Sequence, residues 1–475
     1  MTSVGAGASA GQPAGEAGLL EPGLGDPRIR ALVTEAAYVD EVLAFEGALA
    51  RASAAAGVVP VAAAEAIARA AVLSSVDVAT LAARAGLTGS PVVPIVQDLC
   101  AAAGPEGSGW AHFGATSQDA WDTATAVVAK RVLALILPAL ERAGARAAGL
   151  ARDEARTLML GRTLGQPAGP YSFGLKAAGW CTALAEASSL LDSAGASLAV
   201  QLGGATGTLA SFDGHGAEVR RQIADALGLA DVALPWHTNR VVIAELAAAL
   251  GVTAGAWSKI AIDVILLAQH EVGEVREGGD GRGGSSAMPH KQNPSRAIEV
   301  RAGALRVPGL VATVLSVMGQ ELERGAGTWQ AEWAPLRELL KTVGGIVLLG
   351  EALLASLELD RERMGHNFAA LRGLPLSETL ANALSPHLGR LEAQRVVREL
   401  AAVVRERGIT LAEAASAHER VRACCSDERL RALFDAASVP EAWVELVEQA
   451  LAAVVARRAQ AGPTADDKAL RARGG

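Results

Sequence analysis

Residues 245–275 read ELAAALGVTAGAWSKIAIDVILLAQHEVGEV. Within them Leu250, Trp257, Ile260, Val264, Leu267 and Val275 recur at threes and fours, the spacing that gathers side chains on one face of an α-helix. The stripe predicts a helix longer than those of ordinary globular domains, as in a helix bundle or an oligomeric core. Composition agrees: alanine and leucine dominate, aromatic residues make up 3 % of the chain, and strand-forming runs are scarce. The fold class read from this is all-α. Further long helices are expected around 122–159, 170–199, 295–325 and 335–358.

Working outward, the 475 residues divide by texture. Residues 1–27 are rich in Gly, Ala and Pro without a basic leader, and read as a tail, not a signal peptide. Short helical stretches broken by GVVP and GLTGSP fill 28–110, the long helices occupy 111–365, and shorter helices with charged turns form a cap over 366–460. Residues 461–475 read as a second tail. The formal charge of −8 includes no basic block, which argues against nucleic acid. The mean hydropathy of +0.27 is mostly alanine. The longest uncharged run, 193–212, is interrupted by GGATGT and does not read as a membrane span. Cys100, Cys181, Cys424 and Cys425 lack metal-ligand spacing, and a reducing cytoplasm is the expected setting.

Three polar islands interrupt the helices: HFGATSQDAWDTA (112–124), GRTLGQPAGP (161–170, with GGATGT at 203–208 nearby in sequence) and GRGGSSAMPHKQNP (281–294). Each falls at a helix boundary, where free backbone N–H groups and small hydroxyls hold anions. In an apolar bundle such islands are costly unless they meet at a site.

The motif GGSSAMPHKQNP resembles the signature loop of the fumarase/aspartase superfamily, and GATSQDAWDTA and GRTLGQPAGP resemble its first two conserved regions. PWHTNR (235–240), RVPGL (306–310) and ERGAGTWQAEW (323–333) are similar to its 3-carboxy-cis,cis-muconate cycloisomerase branch. The resemblance implies a homotetramer with a twenty-helix core and four active sites, each assembled from three subunits. It implies an anti β-elimination, or its reverse, on a small succinate-like dicarboxylate. No cofactor and no metal are expected, and neither nucleic acid nor membrane as partner.

By the motif match Ser285 is the catalytic base, with Ser286 beside it as the alternative, in a glycine-rich loop that closes over substrate. Lys291 and backbone N–H groups would stabilise the alkoxide, and Lys291 and Asn293 the carboxylate that takes up charge. Thr116, Ser117 and Gln118 match carboxylate-holding positions, with His112, Gln166 and Arg240 as further substrate contacts. Arg240 has an alternative as the ion-pair partner of a carboxylate such as Glu274. His237 reads as structural or interfacial, His290 as a loop-orienting residue, Arg162 as a turn brace, and Trp329 and Trp333 as packing.

Departures from the family pattern bear on the leaving group. Leu164 stands where many members carry a histidine that assists departure, and Pro167 where the branch commonly carries one. Hydroxide or an amine needs a proton donor to leave, whereas a weak base such as nitrite or a carboxylate does not. Gln292, Leu322 and Gln330 are neutral where the branch usually has ionisable groups, which suits a tricarboxylate less well than a smaller dianion. The expected function is therefore a nitrosuccinate-lyase type elimination giving fumarate and nitrite. The alternatives are the cycloisomerase, a helical tetramer without chemistry, and an ordinary fumarase or amino-acid ammonia-lyase, against which Leu164 counts.

Overall fold

Caps written in the sequence start and stop the helices. Thr34 accepts from the Ala37 N–H at the head of a 21-residue helix, and Gly228 and Gly408 end later helices in the left-handed region that glycine adopts without strain. The computed structural model describes residues 20–279, 283–284, 287–435 and 439–461. In chain order these form α1 (Pro27–Leu32), α2 (Glu35–Ala55), α3 (Val61–Ala70), α4 (Val78–Thr88), α5 (Val92–Gly107) and α6 (Ser117–Asp153). The hairpin β1 (Leu158–Thr163) and β2 (Gln166–Ser172) follows, then α7 (Phe173–Ala196), α8 (Gly216–Leu227), α9 (Val241–Leu267) and β3 (Val275–Glu277). After α10 (Ser295–Ser316) and α11 (Thr328–Ala355), β4 (Leu357–Leu359) pairs antiparallel with β3. The remaining helices are α12 (Arg361–Ala369), α13 (Ser377–Leu388), α14 (Arg390–Arg407), α15 (Leu411–Ala417), α16 (Glu419–Cys424), α17 (Asp427–Phe434) and α18 (Glu441–Ala461).

The all-α reading holds, with corrections at the ends of the long helices. The stripe at 245–275 belongs to a helix that starts at Val241 and stops at Leu267, so Val275 lies in β3. Gly273, at φ 63°, turns the chain there. Glu274, which follows, is fully buried and held by the Arg162 guanidinium at 2.7 and 2.9 Å. Likewise the helix expected through 159 ends at Asp153, and 158–172 fold back as a hairpin. The tail expected through residue 27 is fixed from Glu21 onward, because that carboxylate pairs with Lys341 at 2.9 Å and with Arg306 while Leu24 is buried.

Two compact units share the chain: Met1–Leu135, Ala196–Ala247 and Arg306–Leu349 in the first, and Ile136–Gly195, Ala248–Leu305 and Gly350–Gly475 in the second. In the first, α2 packs against α3, α5 and α8 and buries Val42, Leu43, Phe45, Ile67, Ile95 and Ile223. In the second, Phe173 meets Trp180 edge-on, and the Trp180 indole donates to Asp263 at 2.8 Å. Leu380, Leu384, Val396, Leu400, Leu411 and Leu430 form a separate apolar cluster toward the C-terminus. Helices α6 and α9 are long and apolar enough to cross a membrane, but their most apolar windows are 67 % and 50 % buried within the protein.

Close approach at the head of α7 gives a test. A Cβ at Gly174 would lie 2.5 Å from the Ala155 Cα and 2.6 Å from the Ala151 carbonyl, whereas one at Gly179 meets nothing within 4 Å. Gly174→Ala is expected to destabilise by about 2 kcal/mol or more through backbone overpacking. Gly179→Ala is expected to be neutral or stabilising by up to about 1 kcal/mol. Calorimetric melting of the two variants beside the parent checks the contrast.

Candidate active site

The first turn of α6 is organised by a carboxylate with no exposed surface. Asp119 accepts from the Thr116 N–H at 3.0 Å, the Gly203 and Gly204 N–H groups at 3.0 and 2.9 Å, and His237 Nε2 at 2.7 Å. The first polar island is thereby joined to GGATGT and to PWHTNR. Glycine is required in the turn: a Cβ at Gly203 would lie 2.7 Å from His237 Cε1, and Gly204 has φ 73° and would meet the Gly114 carbonyl at 2.7 Å. His237 is buried against Asp119, in the structural role the sequence suggested.

Beside this hub lies a second buried cluster. Gln118 donates to Asp122 at 3.0 Å and to the His237 carbonyl at 2.8 Å, and accepts from Arg324 at 3.2 Å. Arg240 places Nη1 on Asp122 at 2.8 Å and on the His237 carbonyl at 3.4 Å. Its Nη2 reaches Asp122 at 3.2 Å and also Glu332, and its Nε reaches Glu332 at 3.3 Å. A guanidinium has five N–H donors, and all five are engaged. Two expectations are corrected here. Arg240 pairs with Asp122 and Glu332, not Glu274, and has no donor left for a substrate in this arrangement. Gln118 is fully buried with its amide committed on both sides, so it braces this cluster from within. Trp329, expected as packing, also donates to Asp122 at 2.9 Å. Burial, with repulsion from Asp122, raises Glu332 to about 7 despite Arg240.

His112, Thr116 and Ser117 remain half-buried at the edge of the same turn. His112 adopts φ 60°, unusual for a residue with a Cβ, and its Nδ1 lies 2.5 Å from Glu46 Oε1. Burial lowers the basicity of this imidazole, but the charge and hydrogen bond of Glu46 and the charge of Asp119 outweigh it and raise His112 above 6.5. These three residues place an imidazole and two hydroxyls at the edge of the turn.

The second unit carries the other two islands. In the β1–β2 hairpin Thr163 pairs with Gln166 across a two-residue turn in which Leu164 and Gly165 have φ 52° and 76°. Leu164 is fully exposed and Gln166 is exposed beside it. Arg162 braces the hairpin through the Leu160 carbonyl at 3.2 Å and Glu274. At the signature loop, Ser285 and Ser286 lie outside the described residues. Its neck is closed by the Asn293 backbone N–H and Nδ2, each 2.9 Å from the Gly283 carbonyl, and by a bridge between Gly284 and Gln292. Asn293 thus uses one of the two N–H donors of its side-chain amide on the loop itself. Gly283 has φ 79°, and a Cβ there would lie 2.1 Å from the Asn293 carbonyl oxygen. Lys291 is exposed and lines a polar cavity of about 420 Å³ with Gly284, Gln292 and Asn293. Glu277 caps the following helix by accepting from the Arg296 and Ala297 N–H groups at 3.1 and 2.8 Å.

Sequence reasoning missed the carboxylates that fix the site. Asp119 was legible as a helix-cap partner three residues after Thr116. Glu46 and Glu332 were not, because their partners His112 and Arg240 are 66 and 92 residues away.

A family profile described as lyase matches residues 26–309. The chain is 40 % identical over 448 residues to the nitrosuccinate lyase of Streptomyces davaonensis, covering 92 % of this chain and 94 % of that protein. It is 40 % identical over 425 residues to the 3-carboxy-cis,cis-muconate cycloisomerase of Pseudomonas aeruginosa, covering 88 % and 93 %. The solved 3-carboxy-cis,cis-muconate lactonizing enzyme from Pseudomonas putida matches with a TM-score of 0.85 at 33 % identity, covering 92 % of this chain and 99 % of that one.

The His112–Glu46 pair sets a pH test. Its folded value is raised, so the stability it contributes is present below 6.5 and is lost as pH climbs through the folded value. In Glu46→Gln the main opposing charge is gone and burial is expected to bring His112 below 6.5. An NMR titration of the imidazole C–H signals reads the change directly.

Proposed function

The chain belongs to the lyase family within the fumarase/aspartase superfamily, and from that premise we propose that it eliminates nitrous acid from nitrosuccinate to give fumarate and nitrite, as a step in natural-product biosynthesis. Ser285, as the alkoxide, takes the proton from the carbon next to one carboxylate. The electron pair becomes the new C=C bond, the C–N bond breaks, and nitrite departs with its electrons. The charge that builds on the carboxylate is met by Lys291, and His112, Thr116 and Ser117 hold the other end. Ser286, Gln166 and Asn293 complete the proposed pocket, Asn293 through the second N–H of its side-chain amide and by holding the loop neck.

The observation that carries the choice of leaving group is Leu164, a hydrocarbon fully exposed at the hairpin tip. With no proton donor at that position, the reaction that fits is one whose leaving group is already a weak base. The matched identity to a nitrosuccinate lyase supports this reading. A cycloisomerase of equal identity favours the second reading, lactonisation of 3-carboxy-cis,cis-muconate, in which a carboxylate oxygen is the weak base.

The proposal includes a cytoplasmic homotetramer with shared sites, and the segments 28–110, 111–365 and 366–460 as its three domains. Support comes from what one chain leaves uncovered: Val252 and Leu266 on α9, Ile298, Leu305 and Leu315 on α10, and the Leu164 tip. Long apolar helices half-covered within a subunit are what an oligomeric core uses.

Incubation with nitrosuccinate is expected to release nitrite and fumarate in equal amounts, and Ser285→Ala to lower kcat by about 10²–10⁴-fold. Light scattering is expected to give four times the 48.3 kDa chain mass. Tetramer without nitrite rejects the first reading; loss of the diene absorbance of carboxymuconate then selects the second.

A further inference from the structure

The first unit holds another cavity, of about 260 Å³, that the proposed elimination does not use. Its walls are aromatic and acidic together. Tyr38 stacks on Trp121 with ring centroids 5.3 Å apart, and Trp121 meets Trp333 at 5.4 Å. Leu81 and Leu336 add apolar surface, while Glu35, Asp122 and Glu332 place three carboxylates on the wall against one guanidinium, Arg337. Arg337 already donates to the Val33 carbonyl at 2.6 Å. Arg240 neutralises only one charge of the Asp122–Glu332 pair. Counting both arginines, the cavity keeps an excess negative charge beside three π-faces once Glu332 is ionised.

That combination selects by charge. An anion would be desolvated against carboxylates. A neutral ring would gain apolar contact alone, whereas a cation gains that contact, the quadrupoles of the rings and the unmatched carboxylate charge. We propose that this cavity binds a ring-sized organic cation, an ammonium group on an apolar body, with the body among Tyr38, Trp121 and Trp333 and the charge toward Glu35 and Glu332. The site is independent of the elimination chemistry, and its test needs no turnover.

Glu332 supplies a signature. Asp122 and Arg240 face it directly, and Glu35, Tyr38 and Arg337 share its cavity. Since its carboxyl is raised to about 7, a cation binds the ionised form better, and affinity rises as pH increases from 6 to 8.

Tryptophan fluorescence and calorimetry with 2-phenylethylammonium, 2-phenylethanol and 3-phenylpropionate test the proposal. The expected result is saturable binding of the amine at one site per chain, at least about tenfold tighter than either of the others, a margin of ~1.4 kcal/mol. Affinity is expected to climb several-fold between pH 6 and 8, and to lose that slope in Glu332→Gln. Ala85→Trp, which fills the cavity from its α4 wall, is expected to abolish binding while keeping a native circular dichroism spectrum. No saturable amine binding, an alcohol or anion that binds as well, or full affinity in folded Ala85→Trp overturns it. Should Ala85→Trp fail to fold, the pH slope and its loss in Glu332→Gln decide the question alone.

Discussion

A carboxylate with no access to water is the constraint on which the first unit depends. A carboxyl group such as Asp119, buried inside alanine-rich helices, is tolerable only where donors replace its hydration. Four N–H groups do so, from Thr116, Gly203, Gly204 and His237, three stretches that are far apart in sequence. Satisfying the charge therefore fixes the turn before α6, the glycine turn and the segment before α9 at once. Breaking one bond leaves an uncompensated buried charge, so these segments are held as a set.

The neighbouring cluster applies the same logic with a different result. Two carboxylates, Asp122 and Glu332, share one guanidinium, and burial, with repulsion from Asp122, leaves Glu332 raised. Arg240, the cation that the family motif offers for substrate, is fully committed to that internal task. In the proposed mechanism, recognition of a dianion in this subunit falls to His112, held by Glu46, to the Thr116 and Ser117 hydroxyls, and to Lys291. An internal cation bracing neutral or weakly polar contacts is consistent with the neutral Gln292 and Gln330 seen in the sequence.

Much of the fold was legible because helical periodicity is local. The stripe through Trp257, Ile260 and Val264 identified α9, and these residues are fully buried. Its end was not legible, because Leu267 stops the helix for reasons that lie elsewhere: Glu274 turns to Arg162, 112 residues away. The same division runs through the site. Gly283 could be read as a flexible position, and it is one that no side chain could occupy. The partner of Arg240 could not be read, since spacing within a motif says nothing about carboxylates brought in from another helix. Asn293 was recognised by its motif, while its bonds to Gly283 across the loop neck belong to the folded backbone.

The chain thus separates rigidity from chemistry. Alanine-rich helices supply straight, closely packed rods with few polar groups, and the polar groups are concentrated where helices begin and end. Leu164 occupies a left-handed turn position with its side chain in solvent, a costly placement for an exposed leucine in an isolated subunit. In the proposed tetramer the cost is offset when that side chain is covered at a neighbouring subunit's site. In the proposed mechanism a hydrocarbon there excludes water and offers no proton, which favours leaving groups that depart as stable anions.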